Sequence, residues 1–299
     1  MTGRIILDGG MGRELWRRGV EIPPTLWSAN ALLVAPHIVQ QVHEDYIAAG
    51  ADIITLNNYS LVPAALAAVG LEHRLDELLA DALRLARAAR ERAGRLDVRI
   101  AGALPPLANS YRADLVPPLA VALPAYRRIA AALADGVDLL LCETMSSAAE
   151  ARVAATVAGE TGLPVWVAWS LHDDASGRLR SGESVAEAVA ALGDLPVDAL
   201  LFNCSTPESI AVALPLLRRL TDRPIGAYAN AFRPVPGGWD MARDGLLTLR
   251  DDISPLSYAA MVEAWEARGA TIFGGCCGIG PDHIACLAAG SRLNTASPR

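Results

Sequence analysis

The chain contains no lysine. All 26 of its basic residues are arginine, which excludes chemistries that need a side-chain amine: Schiff-base aldolases, pyridoxal phosphate held on a lysine, and the Walker-type phosphate loop. Cysteine is scarce as well, with five in 299 residues, an odd number. The opening MTGRIILDGGMG lacks the sustained apolar run of a signal peptide. A cytoplasmic location is therefore expected, where thiols stay reduced and a few cysteines serve metal binding or chemistry rather than a disulfide framework. An excess of positive charge is also missing. The net charge is −7 and the pI about 5.3, which argues against a sequence-independent grip on nucleic acid or on an anionic membrane. Apolar stretches such as VDLLLC are too short to span a bilayer. No linker, low-complexity tract or internal repeat interrupts the chain, so residues 1–299 read as one domain.

What the chain does have is alternation. Short β-rich apolar runs occur at 4–9, 52–58, 98–104, 137–144, 164–171, 197–204, 224–230 and 270–277. Between them lie alanine-, leucine- and arginine-rich stretches such as 75–94, with apolar positions three and four apart and arginines on the other face. Eight strands alternating with helices predict a closed (β/α)₈ TIM barrel, an α/β fold, with a doubly wound open sheet as the main competitor.

In such barrels the chemistry sits where strands end, at the C-terminal face. The polar residues at those ends are Asp8; Asn57, Asn58 and Tyr59; Cys142, Glu143 and Thr144; Ser170; Asn203 and Cys204; Asn230; and Cys276 with Cys277. Only the third strand ends without one. Cys204, Cys276 and Cys277 would face a common mouth, and three soft thiolates with one open position suit a catalytic zinc site. Gly274, Gly275 and Gly278 would let the backbone bend so that two adjacent thiols both turn inward. Two other readings stay open on spacing alone: buried core cysteines, and a strained vicinal disulfide between Cys276 and Cys277. Cys142, in an apolar strand, and Cys286, in a helix-like stretch, read as core.

These residues fall within a recognisable pattern. LDGGMGREL (7–15), LWSA (26–29), AGADIIT (49–55), ETMSSAAEA (143–151), LRSGES (179–184), FNCSTPESI (202–210), YAN (228–230) and GGCCGIGPDHI (274–284) follow one another in a family's order and spacing. The chain resembles the homocysteine S-methyltransferases, zinc-thiolate (β/α)₈ enzymes that include betaine–homocysteine methyltransferase and the homocysteine module of cobalamin-dependent methionine synthase. The resemblance implies zinc on Cys204, Cys276 and Cys277, which are thereby also the catalytic residues. It implies homocysteine as acceptor, and Glu143 with Asp8 as the carboxylates that receive its amino group. Plain local roles for these two, a helix-start charge for Glu143 and a turn organiser for Asp8, are the alternatives. Asn57, Tyr59, Trp27, Ser170, Asn203 and Asn230 complete the expected substrate-binding set.

Two stretches depart from the family's usual pattern, TLNNYS (55–60) and ALPPLANSYRADL (103–115), and both would line the donor side of the mouth. Trp27 and Tyr59 match positions where betaine-using relatives place aromatic rings, whose faces can hold a methylated cation. Packing is the other role open to Trp27. The short stretch of chain after the eighth strand resembles the sulfonium-using branch, so S-methylmethionine or S-adenosylmethionine is the expected donor. Betaine and a separate corrinoid protein are the alternatives, as is a non-catalytic zinc or redox thiol protein. Oligomeric state is left open, a homo-oligomer included.

Overall fold

Each apolar run sends alternate side chains to opposite sides of one parallel sheet. The computed structural model describes residues 3–295. Its strands are β1 (Ile5–Ile6), β2 (Ile53–Thr55), β3 (Arg99–Leu104), β4 (Leu139–Met145), β5 (Val165–Trp169), β6 (Ala199–Asn203), β7 (Ile225–Tyr228) and β8 (Ile272–Phe273). All pair in parallel in the order β1-β8-β7-β6-β5-β4-β3-β2. A parallel bridge from Leu7 to Ile53 joins the two ends, and the Asp8 amide donates to the Ile53 carbonyl at 3.0 Å. The fold is the expected (β/α)₈ barrel, and this closure rules out the open sheet.

Two cores follow from the period of two. Leu139 and Leu141, Trp166 and Ala168, Ala199 and Leu201 fill the barrel interior. Their neighbours Leu140, Cys142, Val165, Val167, Leu200 and Phe202 face outward into a second core against the surrounding helices. The 75–94 pattern becomes the helix Leu75–Arg92, whose buried face carries Leu75, Leu78, Leu79 and Leu85. Burying a leucine is worth roughly 1.5–3 kcal/mol, so the packed face rather than intrinsic propensity holds this helix in place.

The N-terminal end of the barrel carries a repeated clasp. Asp52, Asp138 and Asp198 stand immediately before or near the start of β2, β4 and β6. Their Oδ2 atoms accept from the amides of Ile6, Ile100 and Val165 at 2.8, 2.7 and 2.8 Å. The backbone amide of each aspartate donates in return to the carbonyl of the same residue, at 2.7, 2.8 and 2.7 Å. Each clasp ties an odd strand to an even one: β1 to β2, β3 to β4, β5 to β6. The opposite end is thereby left to the loops. Among the described residues no helix is long and apolar enough to cross a membrane.

Candidate active site

The two adjacent cysteines sit in a turn that only glycine permits. Gly278 has φ +86°, and a Cβ on Gly274 would come within 2.5 Å of the Leu7 Cβ. The turn is stitched to the chain after β7: the Cys276 amide donates to the Ala229 carbonyl, and the Ala231 amide to the Cys277 carbonyl, both at 2.8 Å. Cys204 follows β6 with φ +47°, a left-handed backbone that costs a non-glycine residue about 1 kcal/mol or more.

The three Sγ atoms lie within 4.8 Å of one another, the one cluster of metal-ligand type among the described residues. Cys204 and Cys276 are 2.8 Å apart, and all five cysteines are free thiols. Hydrogen bonds from Cys204 and Cys276, helped by the positive charge of Arg13, hold the Cys277 thiol well below its usual range. The same contacts, with burial, push Cys276 up. Three thiols, Cys204 buried and the other two part-buried, converge without bonding, and one is readily ionised, a donor set suited to a single soft cation. Cys142 lies fully buried in the outer core, and Cys286 is part-buried on the helix Pro281–Thr295; neither joins the cluster.

Glu143 reaches the mouth by strand parity with Leu139 and Leu141. The register of β4 on β5 then shifts between Cys142 and Met145, and Thr144 takes φ +59°, which swings Met145 into the outer core. Burial, reinforced by the charge of Cys204, pushes the Glu143 carboxyl up to about 8, although the Tyr228 hydroxyl donates to Oε2 at 3.2 Å. Asp8 is raised to about 7, again by burial, while its Oδ2 accepts from the Thr55 amide at 2.8 Å. Neither carboxylate has a cationic partner among the described residues. Two desolvated acids facing one cavity form a site that favours an incoming ammonium.

The cavity encloses about 450 Å³, within the ordinary range for small-molecule sites. Asp8, Glu143, Cys204, Cys276 and Cys277 line it, together with Trp27, Asn57 and Tyr59. Tyr59 exchanges a hydrogen bond with Ser110 at 2.7 Å. Asn57 donates to the Ser28 carbonyl at 2.9 Å and leaves Oδ1 buried without a partner. The Trp27 ring lies where a side chain on Gly12 would stand, 2.6 Å from the Cβ position.

Three expected substrate-binding residues do not line the cavity. Asn203 accepts from the Thr144 amide at 2.9 Å and donates to the Thr144 hydroxyl at 2.8 Å, bracing β6 against the left-handed residue beside Glu143. Ser170 donates to the Met145 carbonyl at 3.4 Å, and Asn230 accepts from the Phe232 amide at 3.1 Å. All three are fully buried and hold the loops that carry the site.

The cavity also contains residues that strand-end reasoning passes over. Tyr111, from the divergent loop after β3, donates to Cys204 Sγ at 3.2 Å. Its ring lies 5.9 Å from Trp239 and carries the Arg180 guanidinium 4.8 Å above it. Arg180 is held in turn by buried Asp173 at 2.7 Å. Tyr228 was legible only as part of YAN, without a role. Its even-numbered position relative to Gly226 on β7 would have predicted an inward ring.

The homocysteine S-methyltransferase family model matches residues 5–290. The chain is 33% identical to the homocysteine S-methyltransferase of Escherichia coli strain K12, over 96% of this chain and 95% of that one. It is 30% identical to a selenocysteine methyltransferase of Astragalus bisulcatus, over 93% and 90%. The metallated form of the E. coli homocysteine methyltransferase MmuM superposes with a TM-score of 0.82 at 31% identity, covering 97% of this chain and 96% of that one. With three thiols, two desolvated carboxylates and this likeness running end to end, the chain belongs to the homocysteine S-methyltransferase family.

Proposed function

We propose that this protein moves a methyl group from a sulfonium donor, S-methylmethionine or S-adenosylmethionine, to the thiol of homocysteine, giving methionine. The observation that carries the reading is the juxtaposition of Cys204, Cys276 and Cys277 with buried, unpaired Glu143 and Asp8 in one cavity. The metal is zinc, held by the three cysteines; when bound, it supplies a Lewis acid that favours the ionised form of an acceptor thiol.

Everything else is done by the chain. Glu143 and Asp8 bind the acceptor's ammonium, and its arrival offsets the desolvation that holds both carboxyls protonated near neutral pH. Tyr228 fixes the Glu143 oxygen that it bonds, leaving the other to the ligand. Trp27 and Tyr59 present ring faces to a methylated cation. The two substrates are thus held for in-line displacement, in which proximity supplies much of the rate. The donor's S–CH₃ bond breaks as the acceptor's forms, the donor leaves as a neutral thioether, and the acceptor's thiol proton is released. A thioether leaves without protonation, so no general acid is needed; it is also a better leaving group than an amine, which favours sulfonium over betaine. Free thiols at the site suit the reducing cytoplasm, and residues 1–299 act as one catalytic domain.

A methyl-transfer assay with homocysteine tests the reading, run with S-methylmethionine, S-adenosylmethionine and betaine at equal concentration and read out as methionine formed. Faster transfer from betaine would overturn the donor assignment, and no transfer from any of the three would overturn the activity. Metal analysis of the purified protein should find one zinc per chain.

A further inference from the structure

Arg13 is a cation on the cavity wall with no carboxylate to meet it, its one acidic neighbour being the Cys277 thiol. It lies on the helix Met11–Arg17, which begins beside the Cys276 carbonyl: a Cβ on Gly10 would come within 2.5 Å of that oxygen. Its helix neighbours Arg17 and Arg18 both pair with Glu14, at 2.7 and 2.8 Å. Among the described residues no carboxylate comes within ion-pair distance of Arg13. Its guanidinium rests 5.3 Å from the Phe232 ring centroid and 5.7 Å from that of Trp16. One amino group donates to the Leu247 carbonyl, and Nε is buried with no partner. Packing against two rings fixes the planar fork while leaving donors unused, an arrangement suited to a carboxylate and poor as a purely structural one.

The position decides which substrate it serves. The acceptor's sulfur belongs at the thiols and its ammonium at Glu143 and Asp8. Arg13 lines the same cavity beside Phe232 and Leu247, and its guanidinium also rests on the ring of Trp16, which lies outside the lining and is 53% exposed. Contact with an exposed ring turns the guanidinium toward the solvent side of the cavity, where the tail of a second substrate would lie. We infer that Arg13 binds the carboxylate of the methyl donor, which makes the preferred donor an amino-acid sulfonium rather than a simple alkyl sulfonium. The inference rests on the proposed methyl transfer for its choice of ligand.

The test compares S-methylmethionine with its carboxylate-free analogue, 3-aminopropyl-dimethylsulfonium, in wild-type protein and in Arg13→Gln and Arg13→Lys. Wild type should show a KM for the analogue roughly 10- to 100-fold higher, the size of a charged hydrogen-bonded contact. Arg13→Gln should raise the S-methylmethionine KM by a similar factor and leave the analogue's within about twofold. Arg13→Lys, which keeps the charge without the fork, should fall between. The homocysteine KM should stay at its wild-type value, with all rates taken on zinc-saturated protein because Arg13 also helps to ionise Cys277. Equal KM values for the two donors in wild type overturn the inference whether or not a variant folds, and so does a loss confined to homocysteine. Calorimetry separates this from failure of the methyl-transfer reading. Methionine, the donor's own thioether product, should bind wild type more tightly than 3-methylthiopropylamine even if no methyl is transferred, and Arg13→Gln should erase the difference; equal affinities in wild type overturn the subsite.

Discussion

The Tyr228 hydroxyl donates to Glu143 Oε2 at 3.2 Å from the far side of the barrel mouth, β7 to β4. This contact holds one oxygen of a carboxylate that has no cation, so the acid waits in a pre-set orientation. Glu143→Gln keeps the shape and loses the charge. Homocysteine KM should rise at least 10-fold in this variant with zinc content unchanged, measured by initial rates and metal analysis. Equal KM values would remove Glu143 from the acceptor site.

The same residue fixes a pH dependence. In the acceptor-free protein the Glu143 carboxyl stands at about 8 against an ordinary 4.5, because burial disfavours its charge. Folding therefore takes up a proton, and stability is fully present below about pH 4.5 and is lost as pH rises through about 8. Glu143→Gln should be more stable than wild type at pH 9, by roughly 3–5 kcal/mol, and close to it at pH 5. Asp8, raised to about 7 and facing the same cavity, leaves a smaller slope of the same sign in the variant. Urea denaturation at the two pH values reads the difference, and homocysteine added at pH 9 should narrow it.

Zinc retention should divide the five cysteines three to two. Cys204→Ala, Cys276→Ala and Cys277→Ala should each lose metal and activity while keeping the far-ultraviolet circular dichroism of a barrel. Cys142→Ala and Cys286→Ala should retain both metal and turnover, with Cys142→Ala paying in stability for a small void in the outer core. A requirement for Cys286 in metal binding would sink the ligand assignment.

Tyr111→Phe removes one hydroxyl from Cys204 Sγ and leaves the ring on Trp239 and Arg180 in place. Turnover should fall about 10-fold, the worth of one hydrogen bond to a charged group, with metal still bound. In cobalt-substituted protein the sulfur-to-metal charge-transfer band should shift, because a thiolate that loses a donor holds more electron density. An unchanged spectrum would leave Tyr111 as packing alone.

At the other end of the barrel, Asp138→Ala removes the acceptor from the Ile100 amide. It should destabilise the protein by about 1–2 kcal/mol and leave metal content and both KM values as they were, since the clasp lies at the end opposite the cavity. Thermal denaturation alongside the kinetic assay checks both halves of this expectation.

How much of this was legible beforehand depends on how local the signal is. The eight strands were, because apolar runs buried on both faces need only their own residues to declare themselves. So were the positions of the three thiols, Glu143 and Asp8, each within a few residues of a strand's C-terminal end. The strands came out shorter than the apolar runs, as at β1 and β8, because residues such as Asp8 and Cys276 leave the ladder to form the mouth. Asn203, Ser170 and Asn230 also sit at strand ends, but their side chains turn to neighbouring backbone rather than to the cavity. For Asn203 and Ser170 that choice depends on Thr144 and Met145, whose left-handed backbone and register shift no spacing pattern encodes; Asn230 instead closes a turn onto the Phe232 amide. Arg13 and Tyr111 were missed for a related reason. One lies on a helix and the other in an irregular loop, and their roles come from rings contributed by Phe232 and Trp239, more than a hundred residues away.

Among the described residues, five that are not glycine have positive φ: Trp27, Tyr111, Thr144, Ala175 and Cys204. Four of them line the cavity or flank Glu143, and at each the side chain has work that glycine cannot do. Ala175 is the exception. It lies exposed in the segment between β5 and the helix Val185–Leu192, and its methyl group has no such duty. An engineer seeking a hardier enzyme therefore has one place where backbone tension can be released without touching turnover. Ala175→Gly is the substitution that does so, while the other four mark where thermal robustness has been given up for reactivity.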